Sequence, residues 1–179
     1  MTQYACFLRG INVGGKNKIK MAELKALLSG LGLSNPQTLL QSGNALFEAK
    51  GSATSLEKKI CAAIEKSHGF APAIMLRTLD GLKASLAANP FKKEAKADPA
   101  HLLIMFLAGK PKADAKKALA ALDIAPEAVS LGDREAYLWY PHGIGTSKKL
   151  ARVPLEKILG VSGTARNIRT IEALLELAG

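Results

Sequence analysis

The stretch Thr38–Ala49, TLLQSGNALFEA, decides which class of fold the chain can adopt. Short apolar runs lie on both sides of Ser42-Gly43-Asn44, and Ser, Gly and Asn are residues that favour tight turns. The stretch therefore predicts a hairpin of two adjacent antiparallel strands. Parallel nucleotide-binding sheets are not built from such pairs, because their neighbouring strands are joined by crossover helices.

The elements around this hairpin are predicted from hydrophobic periodicity and from capping signals. In the first half they are a strand over 4–10, a helix with apolar residues from Met21 to Leu31 that is ended by Gly30 and Gly32, the hairpin, a helix opened by a Thr54–Glu57 capping box and ended near Gly69, a strand over 73–77 and a helix over 79–88. In the second half they are a strand over 102–107, a helix over 112–122, a hairpin of 128–131 with 136–140, a helix over 147–159 re-set at Pro154, and a helix over 168–177.

The order of these elements predicts an α+β fold made of a tandem pair of ferredoxin-like (split βαβ) subdomains with an extra C-terminal helix. The first subdomain would cover residues 1–92, and the second would cover 100–179. The charged segment 93–99, within the proline-flanked stretch Pro90–Pro99, would be the linker. The last strand of the second half is not defined by the pattern.

The net charge of +10 is concentrated in two segments. Residues 1–20 hold cations and no acid, and within 141–171 Glu156 is the only acid against several cations. Such clustering favours an anionic partner.

The sequence shows no signal for a membrane or for export. No apolar run is long enough to span a membrane, and the N-terminus lacks the pattern of a signal peptide. Cys6 and Cys61 are interpreted as reduced residues of the core. We therefore expect a cytoplasmic protein with no membrane contact.

The segment Arg9–Lys20, RGINVGGKNKIK, contains a near match to a phosphate-binding P-loop. Asn17 stands where that motif needs a hydroxyl for magnesium, and the helical period begins only near Met21. Without the hydroxyl and without a helix directly after the motif, the segment is not expected to serve a nucleotide triphosphatase. Its glycines and cations can still form an anion-binding loop.

Four segments combine small or hydroxyl residues with basic ones, and we interpret them as candidate anion sites. In the last of them, Asn167 is a candidate N-cap for the final helix. The candidate anion-binding residues are Arg9, Gly10, Asn12, Gly14, Gly15, Lys16, Asn17, Lys18, Ser42, Asn44, Thr146, Ser147, Lys148, Thr164, Arg166, Asn167 and Arg169. Histidine and cysteine spacing predicts no metal site, and no cofactor motif is present.

The chain resembles the family of domain of unknown function 1697 over its whole length. The resemblance rests on LRGINVGGKNKIKMAELKALL, LQSGNALF, NPF, HGIGTSKK and GTARNIRT, which occur in this order. It implies a compact α+β structure, and it carries no biochemical activity to this chain.

Two hypotheses about function remain open at this point. The first is a nucleic-acid-binding module, in which basic loops contact phosphates and Tyr137, Trp139 and Tyr140 offer a surface for base stacking. The second is a binding protein or enzyme for a phosphorylated or carboxylated small molecule, with its site in the cleft between the two subdomains. His142 is the one histidine in a candidate loop, and no nucleophile or base can be named with it. Whether the protein is an enzyme, and its oligomeric state, are left open.

Overall fold

The computed structural model describes all 179 residues of the chain. It contains two four-stranded antiparallel sheets and seven α-helices, and the predicted α+β class is confirmed. The chain divides into two compact units, which are described separately below. The first unit comprises residues 1–83 and 174–179, and the second unit comprises residues 84–173. The predicted boundaries at 92, 93–99 and 100 remain predictions.

The first sheet confirms the hairpin predicted from Thr38–Ala49. Its strands lie in the order β2-β3-β1-β4, and every neighbouring pair is antiparallel. The elements of this part of the chain are β1 (Thr2–Leu8), α1 (Met21–Gly30), β2 (Ser34–Leu39), β3 (Asn44–Ala49), α2 (Ala53–His68), β4 (Ile74–Thr78) and α3 (Leu79–Ala87).

One face of the first sheet carries the core of this unit. Because side chains alternate along a strand, Tyr4, Cys6 and Leu8 of β1 share a face, and all three are buried in one cluster with apolar residues of α1 and α2. In α1 the buried residues are Leu24 and Leu28, which lie one helical turn apart. The helical period in the sequence therefore identified the buried side of α1.

The N-terminus of α2 differs from the prediction. The helix begins at Ala53, and its cap is Ser52, whose hydroxyl accepts a hydrogen bond from the backbone N–H of Ser55. Thr54 lies inside the first turn, so the predicted Thr54–Glu57 capping box is wrong. The C-terminus is as expected, since Gly69 adopts the left-handed conformation that commonly ends a helix.

The second sheet has the strand order β6-β7-β5-β8 and is also antiparallel throughout. Its core cluster includes Met105, Leu107, Leu138 and Leu159. The elements here are α4 (Lys92–Ala97), β5 (Leu102–Leu107), α5 (Ala115–Ala120), β6 (Ala128–Leu131), β7 (Glu135–Trp139), α6 (Leu155–Leu159), β8 (Gly163–Asn167) and α7 (Ile168–Ala178).

Strand β8 is the strand that the sequence pattern left undefined. The residues GTARN carry neither an apolar run nor clear alternation, and the strand exists because it pairs along β5. Gly163 is required by this pairing, since a Cβ there would lie 2.8 Å from Met105 Cε and 2.9 Å from the backbone oxygen of Phe106. Tertiary contact, rather than local preference, forms this strand.

Two predicted helices are shorter in the structure. The helix expected over 112–122 covers only Ala115–Ala120. The helix expected over 147–159 is wrong for its first half: 3₁₀ turns occupy Ile144–Thr146 and Leu150–Arg152, and α6 begins only after Pro154. Proline lacks a backbone N–H and disfavours helical geometry in the residue before it, so the helix starts beyond it. The short helix α4 begins one residue before the predicted linker 93–99 and occupies most of it.

Candidate anion-binding loops

The segment Arg9–Lys20, here called the basic loop, is an ordered hairpin between β1 and α1. Its tip is a bridge between Val13 and Lys16, and the Lys16 N–H donates to the Val13 oxygen over 3.1 Å. The two residues between them, Gly14 and Gly15, have φ values of 57° and 76°. Two consecutive positive φ angles are typical of a type I′ hairpin turn, which explains both glycines without a bound phosphate.

Asn12 holds the basic loop together. Its side-chain amide donates to the backbone oxygens of Ile19 at 3.0 Å and Gln41 at 2.7 Å, and its Oδ1 accepts from the Ile19 N–H at 3.0 Å. Its backbone N–H donates to the Asn17 oxygen, and the Asn17 amide in turn donates to the Gly10 oxygen. Both asparagines adopt positive φ angles, which this residue type tolerates better than most. The loop is therefore shaped before any partner binds.

The basic loop packs on the turn between β2 and β3, residues Leu40–Gly43, here called the β2–β3 turn. Ile11 is buried against Gly43, where an added Cβ would lie 2.6 Å from Ile11 Cδ1. The Leu8 N–H donates to the Gly43 oxygen at 2.9 Å. Two of the four segments predicted as anion sites are thus brought together in the first unit.

Ser42 and Asn44 have different positions in this arrangement. Asn44 is fully buried, and its amide donates to the Leu39 oxygen at 2.9 Å and to the Ser42 hydroxyl at 3.0 Å. Asn44 therefore stabilises the β2–β3 turn from its buried side. Ser42 is exposed beside the basic loop.

The cations of the basic loop are exposed. Lys16 and Lys18 form no ion pair, and Arg9 is also exposed. Lys20 lies 3.7 Å from Glu23 in the first turn of α1. The Lys20 backbone N–H, which donates to Glu23 at 3.2 Å, is the main cause that lowers the pKa of this carboxyl, and His68 and the charge of Lys20 add to it.

In the second unit, Thr146, Ser147 and Lys148 lie in a loop of 3₁₀ turns instead of at a helix start. The Thr146 hydroxyl donates to the His142 oxygen at 2.6 Å. The Ser147 hydroxyl donates to Glu127 Oε2 at 2.8 Å and accepts from the Ala151 N–H at 3.0 Å. Lys148 is exposed. The loop is thus attached to Glu127, a residue that the sequence patterns did not single out.

The segment Thr164–Arg169 spans the end of β8 and the start of α7. Arg166 donates from Nη1 to the Thr164 hydroxyl at 2.7 Å and to the Ala165 oxygen at 2.8 Å. Asn167 Oδ1 accepts from the N–H and from the hydroxyl of Thr170, both at 2.9 Å, which confirms it as the N-cap of α7. Arg169 is exposed, whereas Thr164 is buried.

The proposed stacking surface of β7 is mostly absent. Tyr137 and Tyr140 are buried, and burial raises the pKa of each phenol to about 12, with the nearby carboxylates of Glu135 and Glu127 adding to the shifts. The Tyr137 hydroxyl donates to the Ser85 oxygen at 2.8 Å. Both tyrosines are therefore core residues. Trp139 is half-buried, with its ring centroid 6.5 Å from that of His101.

The histidine, cysteine and carboxylate side chains do not gather into a metal site. No three His, Cys, Asp or Glu side chains are placed to hold a metal ion. Ser67 Oγ lies 2.7 Å from His68 Nδ1, and its hydroxyl donates to the Ala63 oxygen at 2.8 Å, so its proton is directed to the backbone of α2. None of the seven helices is both long and apolar enough to cross a bilayer.

The fold and the loops define a two-unit α+β protein that presents an ordered basic hairpin. The chain belongs to DUF1697, a family of proteins of unknown function, whose family model matches residues 1–137. Its structure is similar to that of the conserved bacterial protein SP0830 from Streptococcus pneumoniae, with a TM-score of 0.74 and 27% sequence identity over 99% of each chain. No curated protein is significantly similar in sequence.

Proposed function

We propose that the protein binds the phosphate backbone of nucleic acid through the basic loop. The observation that carries the proposal is the pre-formed hairpin, in which Asn12 fixes the backbone while Lys16 and Lys18 project without ion-pair partners. Lysines that contact phosphates release condensed counterions, which drives association without sequence preference. A loop ordered in advance loses little conformational entropy on binding.

Two apolar side chains beside these cations favour nucleic acid over a simple ion. Val13, at the hairpin tip, is 67% exposed, and Leu40, in the β2–β3 turn, is 58% exposed. Leu40 also has a positive φ of 59°, a conformation that a bulky residue adopts only where its surroundings impose it. Exposed aliphatic groups next to lysines can contact bases or sugars while the lysines bind the phosphates.

The proposal includes the basic residues of the second unit. Lys148, Arg166 and Arg169 would supply further phosphate contacts, together with the hydroxyls and amides predicted around them.

Each unit is proposed to be a ferredoxin-like subdomain. In both sheets the first and third strands lie in the centre and the second and fourth lie at the edges, which is the strand order of such a subdomain. Single-stranded RNA commonly binds to the sheets of such units. Cys6 and Cys61 form no disulfide, which supports a cytoplasmic location.

The test is fluorescence anisotropy of labelled single-stranded RNA and DNA at about 50 and about 200 mM salt, the range in which phosphate contacts lose affinity steeply. We expect binding that weakens with salt. The double variant Lys16→Gln/Lys18→Gln should reduce the salt slope by roughly 1.4, given about 0.7 per single-strand phosphate contact. The matched control, Lys25→Gln/Lys58→Gln, removes the same charge from exposed helix positions and should change the slope much less.

Two results would contradict the proposal. One is the absence of binding to either nucleic acid at the lower salt concentration. The other is an equal loss of affinity in the loop variant and the helix variant, because that would attribute binding to net charge instead of to the basic loop.

A further inference from the structure

We propose that a pocket in the second unit binds a small organic anion with an apolar body. The pocket has a volume of about 510 Å³ and lies between segment 125–127 and segment 142–149. We call it the Pro126 pocket. Its volume is within the range of roughly 300–1,000 Å³ that small-molecule sites usually have. All of its lining residues belong to the second unit, whereas the basic loop belongs to the first.

The walls of the Pro126 pocket are held in place by internal hydrogen bonds. Glu127 Oε2 accepts from the Ser147 hydroxyl at 2.8 Å and from the backbone N–H of Leu150, so one carboxylate oxygen ties the two segments together. The Thr146 hydroxyl caps its own turn by donating to the His142 oxygen at 2.6 Å. All of these bonds lie within the chain itself, and a site held by its own chain avoids the cost of ordering a loop on binding.

The charges around the pocket select an anion. Lys148 and His142 are exposed, and neither side chain is in an ion pair. Lys149 is partly compensated, since its Nζ lies 3.3 Å from Asp123 Oδ1. The acid in the lining, Glu127, already accepts two hydrogen bonds through one oxygen. The cationic group left to meet a ligand is therefore Lys148, with His142 as a neighbouring donor, and both suit a carboxylate, sulfonate or phosphate.

The surface beneath these groups is apolar. Ala125 and Pro126 are both exposed, and they contribute a methyl group and a pyrrolidine ring to the lining. Covering exposed apolar surface is favourable, which a bare inorganic anion does not achieve. The ligand class that matches both features has a flat or compact apolar body and one anionic group at its end.

The test uses anilinonaphthalene sulfonate, which joins an apolar aromatic body to one sulfonate, and follows its fluorescence as the intact protein is added. Phenylnaphthylamine, which has the same body without the sulfonate, is the matched probe. We expect saturable binding of one sulfonate probe per chain and much weaker binding of the uncharged probe. Amide chemical shifts of the labelled protein should change at 125–127 and 142–149.

Three variants locate the site. Lys148→Gln should lower the affinity for the sulfonate probe about tenfold, as expected for one lost charge-assisted hydrogen bond. Ala125→Trp should block the binding of both probes, because the indole ring would fill the pocket. Ala125 is exposed, so the core stays intact in this variant. Lys157→Gln, which removes the same charge from an exposed position outside the pocket, should bind as the parent does.

The proposal is overturned if neither probe binds, if both bind equally well, or if Lys148→Gln and Ala125→Trp leave the sulfonate probe unaffected. Shift changes confined to residues 9–20 would also overturn it, since they would assign the anion to the basic loop. Lys148 occurs in both proposals, but the proposed function is decided by the Lys16→Gln/Lys18→Gln variant, whose two residues lie outside the Pro126 pocket. Nucleic-acid binding and probe binding can therefore fail independently.

Discussion

The side-chain amide of Asn12 donates a 2.7 Å hydrogen bond to the backbone oxygen of Gln41, joining the basic loop to the β2–β3 turn across 29 residues of sequence. The same amide also reaches the Ile19 oxygen, and its Oδ1 accepts from the Ile19 N–H. The Asn12 side chain therefore joins the start of the basic loop to its end at Ile19 and to the β2–β3 turn at Gln41. The shape of the proposed binding surface depends on this residue.

Asn12→Ala should lower the free energy of unfolding by about 1–3 kcal/mol, because it removes the hydrogen bonds that close the basic loop. Nucleic-acid affinity should also fall, since the lysines would no longer be held in place. Asn35→Ala is the matched control: Asn35 also has a φ of 50°, but its amide makes only a 3.5 Å contact with Glu48. Urea denaturation measures both variants, and an equal loss in the two would contradict the special role of Asn12.

Gly43→Ala should destabilise the protein by roughly 1–3 kcal/mol through overpacking and unfavourable backbone geometry. The new methyl would lie 2.6 Å from Ile11 Cδ1, at a backbone φ of 82°. Adding Ile11→Val removes that Cδ1 and should recover part of the loss, which a double-mutant cycle would detect. Gly30→Ala, at a helical position with no atom near the new methyl, should be neutral or slightly stabilising.

Val13→Ser should weaken nucleic-acid binding about threefold to tenfold without changing the salt slope, because a lost apolar contact releases no counterions. Anisotropy titrations at several salt concentrations separate the two effects. Leu177→Ser, at another exposed apolar position near the end of α7, is the control and should bind as the parent does. A changed slope in Val13→Ser would show that Val13 acts by positioning the lysines.

The buried phenols predict a loss of stability in alkali. Burial raises the pKa of Tyr137 and Tyr140 to about 12, whereas the unfolded chain would release these protons near pH 10. Because folding raises the pKa of these phenols, their contribution to the free energy of unfolding is complete below about pH 10. This contribution decreases as the pH rises from there towards 12. Tyr140→Phe should therefore lose less stability than the parent between about pH 9 and about pH 11 in urea denaturation. An unchanged pH dependence would contradict the burial of an ionisable group there.

The capping of α2 gives a direct comparison between two hydroxyl residues. Ser52→Ala should lower the free energy of unfolding by about 1 kcal/mol, because the Ser52 hydroxyl accepts a hydrogen bond from the Ser55 N–H at the helix start. Thr54→Ala should be neutral or slightly stabilising, since Thr54 lies inside the helix and alanine has the higher helix propensity. Thermal unfolding of the two variants distinguishes them, and a larger loss for Thr54→Ala would restore the capping box predicted from the sequence.

Local patterns determined most of the fold. The hairpin at Thr38–Ala49, the strand Leu102–Leu107 and the helix Met21–Gly30 all follow from periodicity and turn residues, because apolar side chains on one face must be buried together. The N-cap at Asn167 follows equally, since a side chain that bonds a backbone group three residues away needs no distant partner. The choice of antiparallel sheets was therefore present in the sequence.

Tertiary structure decided the features that depend on distant residues. Strand β8 forms because β5 offers it a partner edge, and Asn12 acquires its role only when Gln41 is brought beside it. Glu127 likewise holds a loop 20 residues away, which creates the Pro126 pocket from residues with no shared motif. Hydrophobic period is a local property that the sequence displays directly, whereas a hydrogen bond between distant segments exists only after the chain has folded.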